Sequence, residues 1–242
     1  MAIDHDLIDS CYFFIGTEKE DVSVCGEIKN NPNKNKCYNE IAIKKDNEVI
    51  CNNVKGDAQT RNLCILKIAI NKQDITLCQK IELDNKSIDP YSQRNECYAK
   101  IASVKKDPQI CENIVLISNN RFNEGVKDDC YRNVATEKQD PTVCNKVESE
   151  GTKNYCYMDV GLAKQDVVIC DSIKNSDMRL ACYADIKIDD SYCDKISNYR
   201  DLCYVNVAIK KQDVKICNKI QLEDYKVGCI LNIKDASIVG VQ

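Results

Sequence analysis

The chain has 242 residues, a formal net charge of −4, 17 cysteines, only 3 phenylalanines and no tryptophan. The charge gives no global pull toward nucleic acid, and no run of eighteen or more apolar residues exists to read as a membrane span. A chain this rich in cysteine and poor in large core-filling side chains points to a disulfide-supported fold in an oxidising compartment, a secreted or surface protein.

The start, Met1-Ala-Ile-Asp-His-Asp, has neither a basic n-region nor an apolar h-region, so it does not read as a signal peptide. We expect a portion whose targeting segment is missing. From Cys11 onward the cysteines fall in pairs: 11/25, 37/51, 64/78, 97/111, 130/144, 156/170, 182/193 and 203/217, with Cys229 left over. Seven of the eight pairs are fourteen residues apart, while the gaps between pairs run from ten to nineteen. Fixed spacing inside a unit and loose spacing between units is the signature of a repeat.

Taken in chain order, repeats begin near residues 8, 34, 61, 94, 127, 153, 179, 200 and 226. The third is the clearest. Counting Cys64 as position 0, apolar residues stand at 0, 4 and 5 (Cys64, Ile68, Ala69), one face of a helix. Asp74 follows at 10, Cys78 at 14 and Ile81 at 17. An Asp before a short apolar run reads as an N-cap. Asp21, Asp74, Asp107, Asp140, Asp166, Asp189 and Asp213 each stand four residues before their cysteine, with Asn47 in that place in the second repeat. Pro108 and Pro141 directly after the cap suit the first helical position. Each repeat therefore reads as a helical hairpin. Its first helix starts about three residues before the first cysteine, and its second runs from the cap to just past the second cysteine.

Two segments, 78 to 97 and 111 to 130, gain about six residues. The first contains Asp89-Pro90, a helix-start signal, and the sequon Asn85-Lys-Ser87. The second, Ser118 to Gly125, reads as a polar loop carrying Phe122. The seventh repeat loses three residues between Cys182 and Asp189, close to one helical turn. The ninth has Asp235 after Cys229, but Val239 where the second cysteine would stand, so it reads as a half-repeat with Cys229 as a free thiol.

Sequence alone leaves the disulfide register open between pairs within a hairpin and pairs between neighbouring hairpins. The constant spacing favours the former, with Cys11, Cys25, Cys37, Cys51, Cys64, Cys78, Cys97, Cys111, Cys130, Cys144, Cys156, Cys170, Cys182, Cys193, Cys203 and Cys217 all bonded. Each bond is worth about 3 kcal/mol in the chain-entropy picture.

Two further ladders recur. A basic residue stands three before the first cysteine in eight repeats: Lys34, Arg61, Arg94, Lys127, Lys153, Arg179, Arg200 and Lys226. It either bonds the end of the preceding short helix or forms, with Phe122, a surface for an acidic partner or anionic glycan. A tyrosine follows the first cysteine at Tyr12, Tyr38, Tyr98, Tyr131, Tyr157, Tyr183 and Tyr204. It serves either packing between repeats or recognition of sugars and peptides.

The expected class is all-α: an α-solenoid of about eight two-helix repeats plus a C-terminal half-repeat, a single array over 1–242. The pattern resembles tetratricopeptide repeats and, most of all, cysteine-rich Sel1-like proteins, in which each hairpin also carries a disulfide. The resemblance implies binding of proteins or peptides along an extended surface. The only histidine is His5, and GxSxG, HExxH, P-loop and CxxC patterns are missing, so we expect no enzyme, no metal site and no cofactor. The expected function is an extracellular or cell-surface protein-binding or adhesion scaffold. The alternative is a filament or sheath subunit assembling through its terminal repeats.

Overall fold

A computed structural model describes residues 5–83, 89–116 and 125–239, with side chains for 6–83, 89–116 and 125–234. The sequon at 85–87, Phe122 and most of the polar loop around it lie outside the described residues. The described chain is all-α, with fourteen α-helices, three 3-10 helices and no strand. It falls into two compact bodies, Met1–Cys130 and Tyr131–Gln242.

Long and short helices alternate. The long ones are α1 (His5–Lys19), α3 (Asn31–Lys44), α5 (Ala58–Lys72), α7 (Ser92–Lys105), α8 (Val126–Lys138), α9 (Glu150–Lys164), α11 (Ser176–Lys187), α12 (Arg200–Lys211) and α14 (Glu223–Val239). The short ones are α2 (Val22–Gly26), α4 (Glu48–Cys51), α6 (Ile75–Cys78), α10 (Val167–Cys170) and α13 (Val214–Cys217), with 3-10 turns at Ile110–Asn113, Pro141–Lys146 and Cys193–Lys195. Most long helices begin six residues before their cysteine rather than three, because polar caps precede them: Asn30, Asp57, Ser149 and Asn175 each accept an N–H from the first turn. The basic residue of each repeat therefore sits, in those helices, one turn further from the positive end than the sequence suggested.

The corner between long and short helix is the same in all eight repeats. The residue before the cap is left-handed, with φ between 47° and 55°, at Glu20, Asp46, Gln73, Lys106, Gln139, Gln165, Ile188 and Gln212. The next residue donates its N–H back five positions, as Asp74 does to Ala69 (2.9 Å) and Asp166 to Gly161 (3.0 Å). This closes the long helix in a Schellman turn. The same residue then caps the short helix. Asp74 Oδ1 accepts from Thr76 N (2.9 Å), Asp107 Oδ1 from Gln109 N (2.9 Å) and Asp189 Oδ1 from Ser191 N (3.0 Å). One residue thus ends one helix and starts the next, so the corner tolerates no insertion. That explains the ten-residue step from cysteine to cap in seven of the eight repeats; the seventh, with seven residues from Cys182 to Asp189, shortens the long helix and keeps the corner.

None of these left-handed residues is glycine, and Ile188 (φ 52°, ψ 48°) is β-branched and 40% exposed. Ile188→Gly is expected to raise stability by about 0.5–1 kcal/mol, the left-handed strain relieved less glycine's entropy. Urea unfolding against the parent chain measures it.

The core follows the repeat. Position 4 is buried as Ile41, Ile68, Ile101, Val134, Val160 and Val207, and position 17 as Ile28, Val54, Ile81, Val147 and Ile173. The last helix runs unbroken through Asp235 to Val239. The chain makes no corner at Asp235, so that residue is not a cap.

Candidate functional site

The disulfides join neighbouring repeats, not the two helices of one hairpin. The pairs are Cys25–Cys37, Cys51–Cys64, Cys78–Cys97, Cys111–Cys130, Cys144–Cys156, Cys170–Cys182, Cys193–Cys203 and Cys217–Cys229, with Cα–Cα distances of 5.6 to 5.9 Å. This corrects three expectations at once. The within-hairpin register is wrong, Cys229 is bonded and buried, and the free thiol is Cys11, which is exposed.

The small residue at position 5 shows why. A Cβ added to Gly16 would stand 3.1 Å from Cys37 Sγ and 3.5 Å from Cys25 Sγ; one added to Gly161 would stand 3.5 Å from Cys182 Sγ. The short-helix cysteine is thus level with position 5 of its own long helix, not with position 0. Five residues are about 7.5 Å along a helix axis, which takes the hairpin's own first cysteine beyond bonding range. The bond goes instead to the next long helix, and Ala or Gly at position 5 leaves room for the sulfurs.

The tyrosine ladder straps the same joint. Tyr157 Oη donates to Asn145 Oδ1 (2.7 Å), and the hydroxyls of Tyr183 and Tyr204 donate to Asp171 and Asp194. Each acceptor directly follows the short-helix cysteine of the preceding repeat. Burial and the Asp194 carboxylate push Tyr204 up to about 12. Tyr38 lies over the corresponding Gly26, whose added Cβ would meet its hydroxyl at 3.5 Å.

The basic ladder is half-buried at all eight positions. Arg94 donates to Gln79 O (3.2 Å) and Ile81 O (2.6 Å), Arg179 to Ile173 O (2.7 Å), and Lys127 pairs with Glu112 (2.6 Å). All four acceptors lie at the end of the preceding short helix. Arg61 instead pairs with Glu82, beyond the short helix of its own repeat.

A third ladder escaped the sequence reading. Two residues before the first cysteine stand Asp9, Asn35, Asn62, Asn95, Asp128, Asn154 and Asp201, and the first six are 1% to 6% exposed. Each with a resolved partner holds the backbone about twenty residues on, just past its own short helix. Asn95 Oδ1 accepts from Val115 N (3.0 Å) while its Nδ2 donates to Val115 O (2.8 Å), and Asn35 treats Lys55 the same way. Asp9 accepts from Lys29 N and Asn30 N, and Asp201 from Gln221 N and Leu222 N. In the shortened seventh repeat Leu180 takes the clamp position, and Asp177, one turn earlier, accepts from Ser197 N and Asn198 N. The signal was legible: an Asn or Asp at a fixed offset, on a face otherwise apolar.

Many carboxylates here are held ionised. Lys80, with Lys72 beside it, brings Glu48 down to about 2, and hydrogen bonds from the residues they cap or clamp lower Asp21, Asp57, Asp74, Asp140, Asp177 and Asp189. A lowered carboxylate binds protons more readily in the unfolded chain. Its contribution is complete above the ordinary carboxylate range and is lost as pH falls through the folded value. The melting temperature should be level between about pH 7 and 5 and fall from there toward pH 2. Glu48→Gln should flatten part of that fall. Thermal scans by circular dichroism decide it.

Among the described residues no group of three or more His, Cys, Asp or Glu is placed to hold a metal ion, and no helix is long and apolar enough to cross a membrane. Scans of protein-family models, curated proteins and solved structures returned no match.

Proposed function

We propose that the chain is a non-enzymatic extracellular or cell-surface scaffold, an α-solenoid that binds a protein or peptide partner across its long helices. Eight disulfides fit an oxidising compartment. The observation that carries the reading is a division of labour along the repeat. The recurring residues are spent on the frame as cystines, caps, clamps and tyrosine straps. The position before each long-helix cysteine is occupied by Ser10, Lys36, Leu63, Glu96, Asp129, Tyr155, Ala181, Leu202 and Gly228, with no common chemistry, and the first six and Leu202 are exposed. A fixed frame under a varied, solvent-facing row is how repeat arrays present a binding surface.

The test is surface-plasmon binding of the fully oxidised protein to a panel of extracellular protein domains. Saturable binding to a panel member, weakened by Tyr155→Ser or Leu202→Ser with the melting temperature unchanged, supports the scaffold. Binding to none, or binding indifferent to every substitution in this row, overturns it.

A further inference from the structure

In eight of nine long helices, position 0 is a cysteine bonded to the preceding short helix and 0% to 5% exposed. Among the described long helices, α1 alone shows the same face to solvent. Leu7 is 70% exposed, Phe14 66% and Ile8 36%, with Cys11 exposed at the centre. On a helix these residues and the half-buried Ile15 form one stripe, with Leu7 and Phe14 along one edge and Ile8 and Ile15 along the other. Ile8 also stands where the other repeats carry the basic residue that bonds a preceding short helix.

We propose that this face pairs with the same face of a second copy, two α1 helices crossing antiparallel about a two-fold axis at Cys11. The interface already repeated along the chain calls for a cysteine opposite position 0. Every short-helix cysteine is already bonded to the repeat that follows it. The one thiol a second copy can offer is its own Cys11. The stripe is self-complementary about that point. Antiparallel pairing sets Leu7 against Phe14 of the second copy and Ile8 against its Ile15, each contact made twice, as an isologous interface requires. The two thiols then form one disulfide, giving up two protons and two electrons to oxidised glutathione, which leaves as two molecules of glutathione. Pairing of this kind closes at two, and Cys229, being bonded, supplies no covalent link at the other end.

The experiment incubates the chain, its eight disulfides intact, with oxidised and reduced glutathione. Light scattering, non-reducing gels and peptide mapping read the product. The expected product is a covalent dimer linked Cys11 to Cys11. Cys11→Ser should still self-associate reversibly at high concentration. Leu7→Asp with Phe14→Asp, which keeps the thiol, should lower dimer yield at least about tenfold in favour of a glutathione adduct. Leu7→Lys with Phe14→Glu should recover the dimer that either change alone loses. These side chains are exposed, and circular dichroism confirms each variant's fold. A monomer carrying glutathione on Cys11, or an aspartate variant that dimerises as well as the parent, overturns the proposal.

Discussion

Opening the last disulfide by Cys217→Ala with Cys229→Ala is expected to cost about 3 kcal/mol, the loop entropy of a twelve-residue separation. Cys11→Ser is expected to change stability by less than about 0.5 kcal/mol, as for an ordinary surface substitution. The contrast reverses what the sequence suggested, since Cys229 reads there as the spare thiol. Three features make the C-terminal bond costly to lose. Cys229 is 1% exposed, it sits in one apolar cluster with Cys217, Ile220 and Ile233, and α14 packs on α12 and α13. Without the bond, the hold on α14 rests chiefly on that cluster. Urea unfolding under non-reducing conditions gives both numbers, and iodoacetamide on the native parent should label Cys11 and no other cysteine. A stability loss on Cys11→Ser as large as that on opening 217–229 would contradict the pairing.

The all-α class, the corners and the core positions are legible in the sequence because each is set locally. An Asp or Asn at position 10 has one structural use when a short apolar run follows it, and positions 0, 4, 5, 14 and 17 report one buried face. The register of the disulfides is not local. Fourteen-residue spacing looks like a bond, but it is the length of a helix plus a corner that admits no insertion. The bond crosses the variable linker, where separations run from 10 to 19 while the Cα–Cα distance stays between 5.6 and 5.9 Å. The small residue at position 5 held the missing information. In the sequence Ala69 reads as part of one apolar helix face; at the equivalent Gly16 and Gly161 the neighbouring space is taken by sulfur. The tyrosines divide the same way. Their role at the joint was one of two readings, and the acceptors Asn145, Asp171 and Asp194 decide it for Tyr157, Tyr183 and Tyr204.

The clamp residues bear on how each repeat is held to itself once the covalent bond is seen to go to the next one. Asn62 is 2% exposed and makes three hydrogen bonds. Its Oδ1 accepts from Glu82 N (2.9 Å), and its Nδ2 donates to Glu82 O (2.9 Å) and Gln93 Oε1 (2.8 Å). Asn62→Leu keeps the branched, four-heavy-atom side chain but leaves the Glu82 N–H and C=O facing an apolar group. The expected cost is about 3 kcal/mol, because a buried backbone donor and acceptor lose their partners together. Asn62→Asp should cost less. A carboxylate still accepts the Glu82 N–H but cannot donate to its carbonyl, and Asp9 and Asp201 accept from backbone N–H groups in the same place. The order parent, then Asp, then Leu in urea midpoint is therefore the diagnostic result. Hydrogen exchange should place the damage locally, with the Glu82 amide losing protection in both variants while the Cys51–Cys64 bond stays formed. If Leu proved no worse than Asp, the amide pair would be packing rather than clamping, and the hairpin would owe its closure to the Ile68 and Ile81 contacts alone.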